Sequence, residues 1–151
     1  MADFMTPEQR HNNMSRIRGK DTTPEVYIRK LLFNEGFRYR IHSKHIPGRP
    51  DIWMRKYNTA IFINGCFWHR HQGCKYAYMP KSRIDFWKTK FDRNIERDNK
   101  NRLELIDRGI RFLVIWECTI KKMQKSPEFE KEVMEAISHF ITGMEEKVFE
   151  I

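Results

Sequence analysis

Long apolar stretches are missing from this 151-residue chain. The longest uncharged run, Thr59 to Trp68, is about half of a membrane span, and Asn64 and Gly65 interrupt it. The opening residues, MADFMTPEQR, turn charged before a signal-peptide core can form. Cysteine is scarce too: with three, any disulfide framework leaves one thiol over, and a reducing cytoplasmic setting fits better. Acid is short, with 20 Asp+Glu against 29 Lys+Arg and a net charge of +9. These shortages argue against a membrane protein and a secreted disulfide scaffold, and with no internal repeat a repeat array also fits poorly. What is there, 40% hydrophobic and 32% charged residues, suits one globular domain over 1–151.

The charge is uneven. Residues 1–125 hold 27 basic and 13 acidic residues, a balance of +14, whereas residues 126–151 hold 2 and 7, a balance of −5. A basic body with an acidic tail points to a polyanionic partner for the body, nucleic acid above all.

Thr6-Pro7-Glu8-Gln9 is a helix start, and a polar helix with Met14 and Ile17 on it is expected over about 6–18. A second helix follows from Glu25 to Glu35, then an alternating strand Phe37–Ile41 and two strands, Asp51–Arg55 and Thr59–Ile63. Residues 64–82 are irregular. A long helix from Ile84 to Arg108 is expected to turn Phe91, Ile95, Arg102, Leu103 and Ile106 inward. Arg111–Trp116 reads as a central strand and Pro127–Thr142 as an acidic final helix, with the last residues fraying. This order predicts an α/β fold, a mixed central sheet flanked by helices.

Cys66, His71 and Cys74 are spaced C-x4-H-x2-C, and Cys118 follows the central strand. Four such ligands close a tetrahedral structural Zn2+ site, with His69 as an alternative to His71. Gly48-Arg49-Pro50-Asp51 enters a strand beside Thr59–Ile63, where one carboxylate and a main-chain carbonyl suffice for Mg2+ when phosphate supplies the rest. His69 nearby is suited to general-base chemistry. Phe67 and Trp68 are adjacent aromatics in a polar loop, able to stack on bases or wedge between them, though one is expected to pack over the zinc loop. Trp87, Lys90, Asn94 and Arg97 recur at helical steps and form a face suited to nucleic acid.

Joined together, Gly48-Arg49-Pro50-Asp51, Gly65-Cys66-Phe67-Trp68-His69, Asn94-Ile95-Glu96-Arg97-Asp98 and Val114-Ile115-Trp116-Glu117-Cys118 closely resemble the very-short-patch repair (Vsr) endonucleases, bacterial enzymes that nick T:G mismatches. The resemblance runs from about Asn12 to Cys118. It implies a PD-(D/E)xK nuclease-like core with a structural zinc. It places Mg2+ on Asp51 and the Ile63 carbonyl, His69 as general base, and Glu25 in the acidic site. Glu25 has a simpler role available as well, since Thr22 and Glu25 satisfy a helix cap. Phe67, Trp68 and Trp87 would enter the duplex from the major groove and Met14 from the minor groove, with Lys90 and Asn94 on the mispair. The implied substrate is double-stranded DNA containing T:G, acted on by a monomer in the bacterial cytoplasm at the nucleoid, with mismatch-repair proteins as further partners.

Two positions depart from a well-known branch of that family: Asn64 stands for a second histidine and Ile63 for threonine. Asn64 holds water but takes no proton, which leaves His69 as the base. The competing readings are a zinc-stabilised DNA-binding module without turnover, and a restriction-type nuclease acting on matched DNA.

Overall fold

The computed structural model describes residues 21–151, so the helix expected over about 6–18, and Met14 with it, lies outside the described residues. Helix α1 (Thr23–Asn34) begins at a hydroxyl cap: Thr22 Oγ1 accepts the Glu25 backbone N–H at 3.4 Å, and a proline follows in the first turn. Strands β1 (Arg40–Ile41), β2 (Ile52–Met54) and β3 (Thr59–Asn64) come next, followed by the long helix α2 (Ile84–Asp107). Strand β4 (Arg111–Trp116), helices α3 (Glu117–Lys125) and α4 (Pro127–Gly143) and strand β5 (Val148–Glu150) complete the chain.

The five strands lie side by side in chain order. β1, β2 and β3 pair antiparallel, whereas β3, β4 and β5 pair parallel, giving the mixed sheet that the element order predicts. Period-two alternation sorts the side chains between two cores. Ile52, Met54, Ile61, Leu113 and Ile115 face the helices α1, α3 and α4, where Ile28, Leu32, Ile120, Met123, Ile137 and Ile141 are buried. Ala60, Phe112, Val114 and Trp116 face the other way, toward Cys66 and Leu105 of α2. Asp51, one residue before β2, stands where a site can open on this second face.

Several elements differ from expectation. The strand expected over Phe37–Ile41 shrinks to Arg40–Ile41, because Phe37 turns into the core and meets the Tyr57 ring at 5.7 Å. Cys118 follows β4 as expected, but it does so in the first turn of α3, a helix absent from the sequence reading, whose buried residues are Ile120 and Met123. The inner face of α2 is Trp87, Phe91, Asn94 and Leu105, while Ile95, Leu103 and Ile106 are exposed. Packing on the 64–82 loop sets the rotation of that helix: Trp87 and Phe91 meet the Phe67 ring, and Asn94 donates to the Trp68 carbonyl.

The chain end does not fray. β5 pairs with β4, Phe149 stacks on Phe140 at 5.6 Å, and Trp116 Nε1 donates to Glu150 at 2.6 Å. A fully buried central strand needs a neighbour on each side, and β5 supplies the second. Arg111, 2% exposed, fastens this corner by donating to the Glu146, Ile141 and Phe140 carbonyls and to Thr59 Oγ1. Among the described residues, no helix is long and apolar enough to cross a membrane.

Candidate active site and metal centre

A groove of about 840 Å3 opens between α2 and the second face of the sheet. Glu25, Arg49, Asp51, Ile63, Asn64, Trp68, His69, Arg97 and Asp98 are on its walls. It therefore collects the three acid–base candidates read from the sequence, together with Asn64.

Asp51 Oδ2 accepts the Ile63 backbone N–H at 2.6 Å. No cationic side chain forms an ion pair with Asp51 among the described residues. Burial accordingly pushes its carboxyl up to about 6; the Ile63 N–H pulls it down, the Glu25 charge adds to the rise, and His42 and His69 oppose it. The strand register explains why Ile63 has a carbonyl to spare. β2 and β3 pair up to Ile52 opposite Ile61, and continuing that register sets Pro50 opposite Ile63. Proline has no N–H, so the ladder stops there. In a strand, a residue's N–H and C=O point to the same side, so the Ile63 carbonyl faces the Asp51 side. Gly48 makes the approach possible: a Cβ there would sit 2.9 Å from the Phe62 ring, and its φ is +81°.

His69 Nδ1 lies 2.6 Å from Asp98 Oδ2 of α2. A carboxylate only accepts, so Nδ1 carries the hydrogen, and in the neutral ring Nε2 is the nitrogen with the lone pair. Asn64 is buried at the end of β3 on the same groove. Glu25, also buried, is held in a cluster with Asp21, Arg29 and His42.

A second cluster lies just past the C-terminal ends of β3 and β4, next to the groove. The donor atoms of Cys66, His71, Cys74 and Cys118 all lie within 4.8 Å of one another, close enough to share one metal ion. Cys118 Sγ is 3.4 Å from His71 Nδ1, and the Cys118 backbone N–H donates to Cys66 Sγ at 3.4 Å. The geometry brings His71, not His69, to the thiols. The His71 ring stacks on Trp116 at 4.1 Å, which fixes its plane. Burial pushes the Cys66 thiol up to about 12, so a cation must displace that proton for Cys66 to ligate.

The aromatic residues form one edge-to-face cluster around Phe67. Phe67 touches Trp68 at 5.2 Å, Trp87 at 5.5 Å and Phe91 at 5.1 Å between ring centroids. Trp87 is buried beneath the half-buried Phe67 and Trp68. Lys90 is exposed, its Nζ 5.9 Å from the Trp68 ring. Asn94 is buried with both ends of its amide engaged: Nδ2 donates to the Trp68 carbonyl, and Oδ1 accepts from Arg97, each at 3.0 Å. In this structure Asn94 ties the aromatic loop to α2.

Three residues at or beside the groove went unread in the sequence. Asp98 closes the string Asn94-Ile95-Glu96-Arg97-Asp98, yet only the fold sets it against His69. Arg29 and His42, 13 residues apart, meet at Glu25. A histidine just after an alternating strand was the one available signal.

Residues 2–75 match the family described as DNA mismatch endonuclease Vsr. A type II nicking enzyme of Neisseria meningitidis is 47% identical over 121 residues, covering 80% of this chain and 86% of its own. A second, from Xanthomonas oryzae, is 40% identical over 82% of this chain and 90% of its own. The DNA mismatch endonuclease Vsr of Escherichia coli K12 is 34% identical over 143 residues, 95% of this chain and 90% of its own. That last match runs past Cys118 into the acidic final 26 residues, where the sequence motifs had stopped. With a groove of acid–base residues on a mixed sheet and a Cys/His cluster beside it, the chain belongs to the Vsr family of DNA-nicking endonucleases.

Proposed function

We propose that this endonuclease nicks one strand of double-stranded DNA 5′ to the thymine of a T:G mismatch, by Mg2+-dependent hydrolysis, in very-short-patch repair. The observation that carries the reading is the single groove in which Asp51, the Ile63 backbone and His69 stand together. The donors fit a hard cation: a buried carboxylate without a cationic partner and an adjoining carbonyl with no ladder donor. Asp51 and the Ile63 carbonyl would hold Mg2+, which would polarise the scissile phosphate and offset charge in the transition state.

The protein's own groups carry the proton. Asp98 fixes the Nδ1–H tautomer of His69, leaving Nε2 to take a proton from the attacking water. Asn64 offers an amide to that water and cannot act as a second base. Glu25 adds a carboxylate to the same groove. Phe67 and Trp68, backed by Trp87, form a platform against unstacked bases, and a T:G pair is cheaper to open than a matched one. Lys90 and Arg97 line the approach from α2, Asn94 behind them holds Arg97 and the Trp68 carbonyl until the mispair enters, and Met14 completes the DNA contact from the other groove.

The Cys66, His71, Cys74 and Cys118 cluster suits a structural Zn2+, all four ligands coming from protein with no open position. The same reading makes residues 1–151 one endonuclease domain on a PD-(D/E)xK-type core. The enzyme would act as a monomer in the bacterial cytoplasm, at the nucleoid, with mismatch-repair proteins as further partners.

The test is a nicking assay on duplexes carrying T:G in varied flanks beside matched controls. One Mg2+-dependent nick 5′ to the thymine, absent from matched DNA and abolished in Asp51→Ala, is the expected result. Cleavage of matched DNA at an equal rate, or binding without turnover, would replace this reading.

A further inference from the structure

Every described donor to Glu25 lands on the same oxygen. Oε2 accepts the Asp21 backbone N–H at 3.0 Å, an Arg29 Nη2 hydrogen at 3.0 Å and the His42 Nε2–H at 3.1 Å. Oε1 receives no donor among the described residues, although the side chain is 94% buried and lines the groove that holds Asp51. A carboxylate has acceptor capacity on both oxygens. Among the described residues three donors reach one oxygen and none the other, which leaves Oε1 for whatever enters the groove.

The donors come from separate parts of the fold: the turn before α1, the second turn of α1 and the residue after β1. His42 sits at φ +48°, a left-handed conformation uncommon outside glycine, and its own N–H bonds to the Asp51 carbonyl at 3.4 Å. Arg29 Nη2 also pairs with Asp21 at 2.8 Å. The 3.4 Å between Arg29 and His42 is the spacing of two donors that share one acceptor.

Asp21, Glu25 and His42 are close enough together to hold a cation. The Arg29 guanidinium already stands there, and a fixed positive charge opposes a second one. The cluster is therefore a clamp on Glu25 and not a metal centre.

We propose that His42 and Arg29 are positioning residues for strand cleavage: they hold Glu25 by Oε2 so that Oε1 accepts a hydrogen bond from the water that attacks the phosphate. The inference rests on the reading of the groove as the nicking site. An imidazole thus serves the reaction from position 42, through a carboxylate, rather than from position 64.

The experiment is nicking of a T:G duplex in Mg2+ by His42 and Glu25 variants, with melting temperature recorded for each. His42→Leu lowers kcat at least about tenfold with KM for DNA within about twofold, and His42→Gln, whose amide reaches as far as Nε2, restores most of the rate. Adding His42→Leu to Glu25→Met costs nothing further, because the effect runs through Glu25. A merely structural histidine would instead add its loss in that background. Should His42→Leu fail to fold, His42→Asn, polar but too short to reach Oε2, carries the same expectation. In the free protein, long-range 1H–15N spectra show the Nε2–H tautomer of His42, and Glu25→Met releases the ring into a tautomer mixture. A full rate in His42→Leu, additive losses, or an unchanged tautomer in Glu25→Met would overturn the inference. Failure of the wild type to nick T:G defeats the proposed reaction instead, and the tautomer measurement still decides the clamp.

Discussion

His69 and Asp98 are joined by a 2.6 Å contact from Nδ1 to Oδ2, across 29 residues of sequence. The acceptor fixes which ring nitrogen bears the hydrogen, and with it which one is free to take a proton. Asp98→Asn therefore presents a group able to stabilise the wrong tautomer. Single-turnover nicking by Asp98→Asn is expected to fall at least about 100-fold with DNA affinity nearly unchanged. A rate close to that of the wild type would mean that His69 is not the base.

Asp51 makes a prediction about pH. Its carboxyl is raised to about 6 in the folded protein by burial, whereas in the unfolded chain it titrates near 4. Above pH 6 it is charged in both states, and the folded state bears the desolvation cost. As pH falls from 6 toward 4, the folded state takes up the proton first, and this group's contribution to stability rises. In metal-free protein, Asp51→Asn is thus expected to be more stable than wild type by about 2–3 kcal/mol at pH 7.5, with the gap closing by about pH 4. Denaturant titrations at the two pH values measure it. Mg2+ competes with the same proton, so wild-type nicking should fall below about pH 6.

The Cys/His cluster predicts a metal content and a stability. Purified protein should carry about one zinc per chain. Cys66→Ser or Cys118→Ser should lose it and melt about 10 °C lower, a loss of roughly 3 kcal/mol for a chain of this size. Metal analysis beside calorimetry tests both, and an unchanged melting temperature in zinc-free protein would refute a structural role.

Arg111, buried at the start of β4, spreads its donors over four carbonyls, those of Tyr57, Phe140, Ile141 and Glu146, and the Thr59 hydroxyl. Arg111→Met fills similar space and leaves those acceptors without donors. A destabilisation of about 3 kcal/mol or more is expected, with nicking per folded molecule unchanged. Urea unfolding followed by active-site titration separates the two effects.

What could be read in the sequence was local. The GRPD turn, the Cys66, His71 and Cys74 spacing and the apolar run Arg111–Trp116 are each short stretches: the first sets Asp51 on the groove, the second gathers with Cys118, and the third forms β4. The rotation of α2 was misread because its inner face carries Asn94 and turns Ile95, Leu103 and Ile106 to solvent. Apolar periodicity says nothing about a face that packs on backbone carbonyls such as that of Trp68. β5 is three residues long, too short for alternation to stand out, and forms because β4 offers a free edge. Glu25 could be assigned to a cap or to the site on spacing alone; in the fold it accepts the Asp21 backbone N–H and also lines the groove.

The acidic end of the chain is kept behind the sheet. Helix α4 carries four glutamates and one lysine and covers the face away from the groove. A polyanion approaching from that side meets like charge within about a Debye length, roughly 10 Å at 0.1 M salt. The glutamates therefore repel a duplex only from the side on which it has nothing to find.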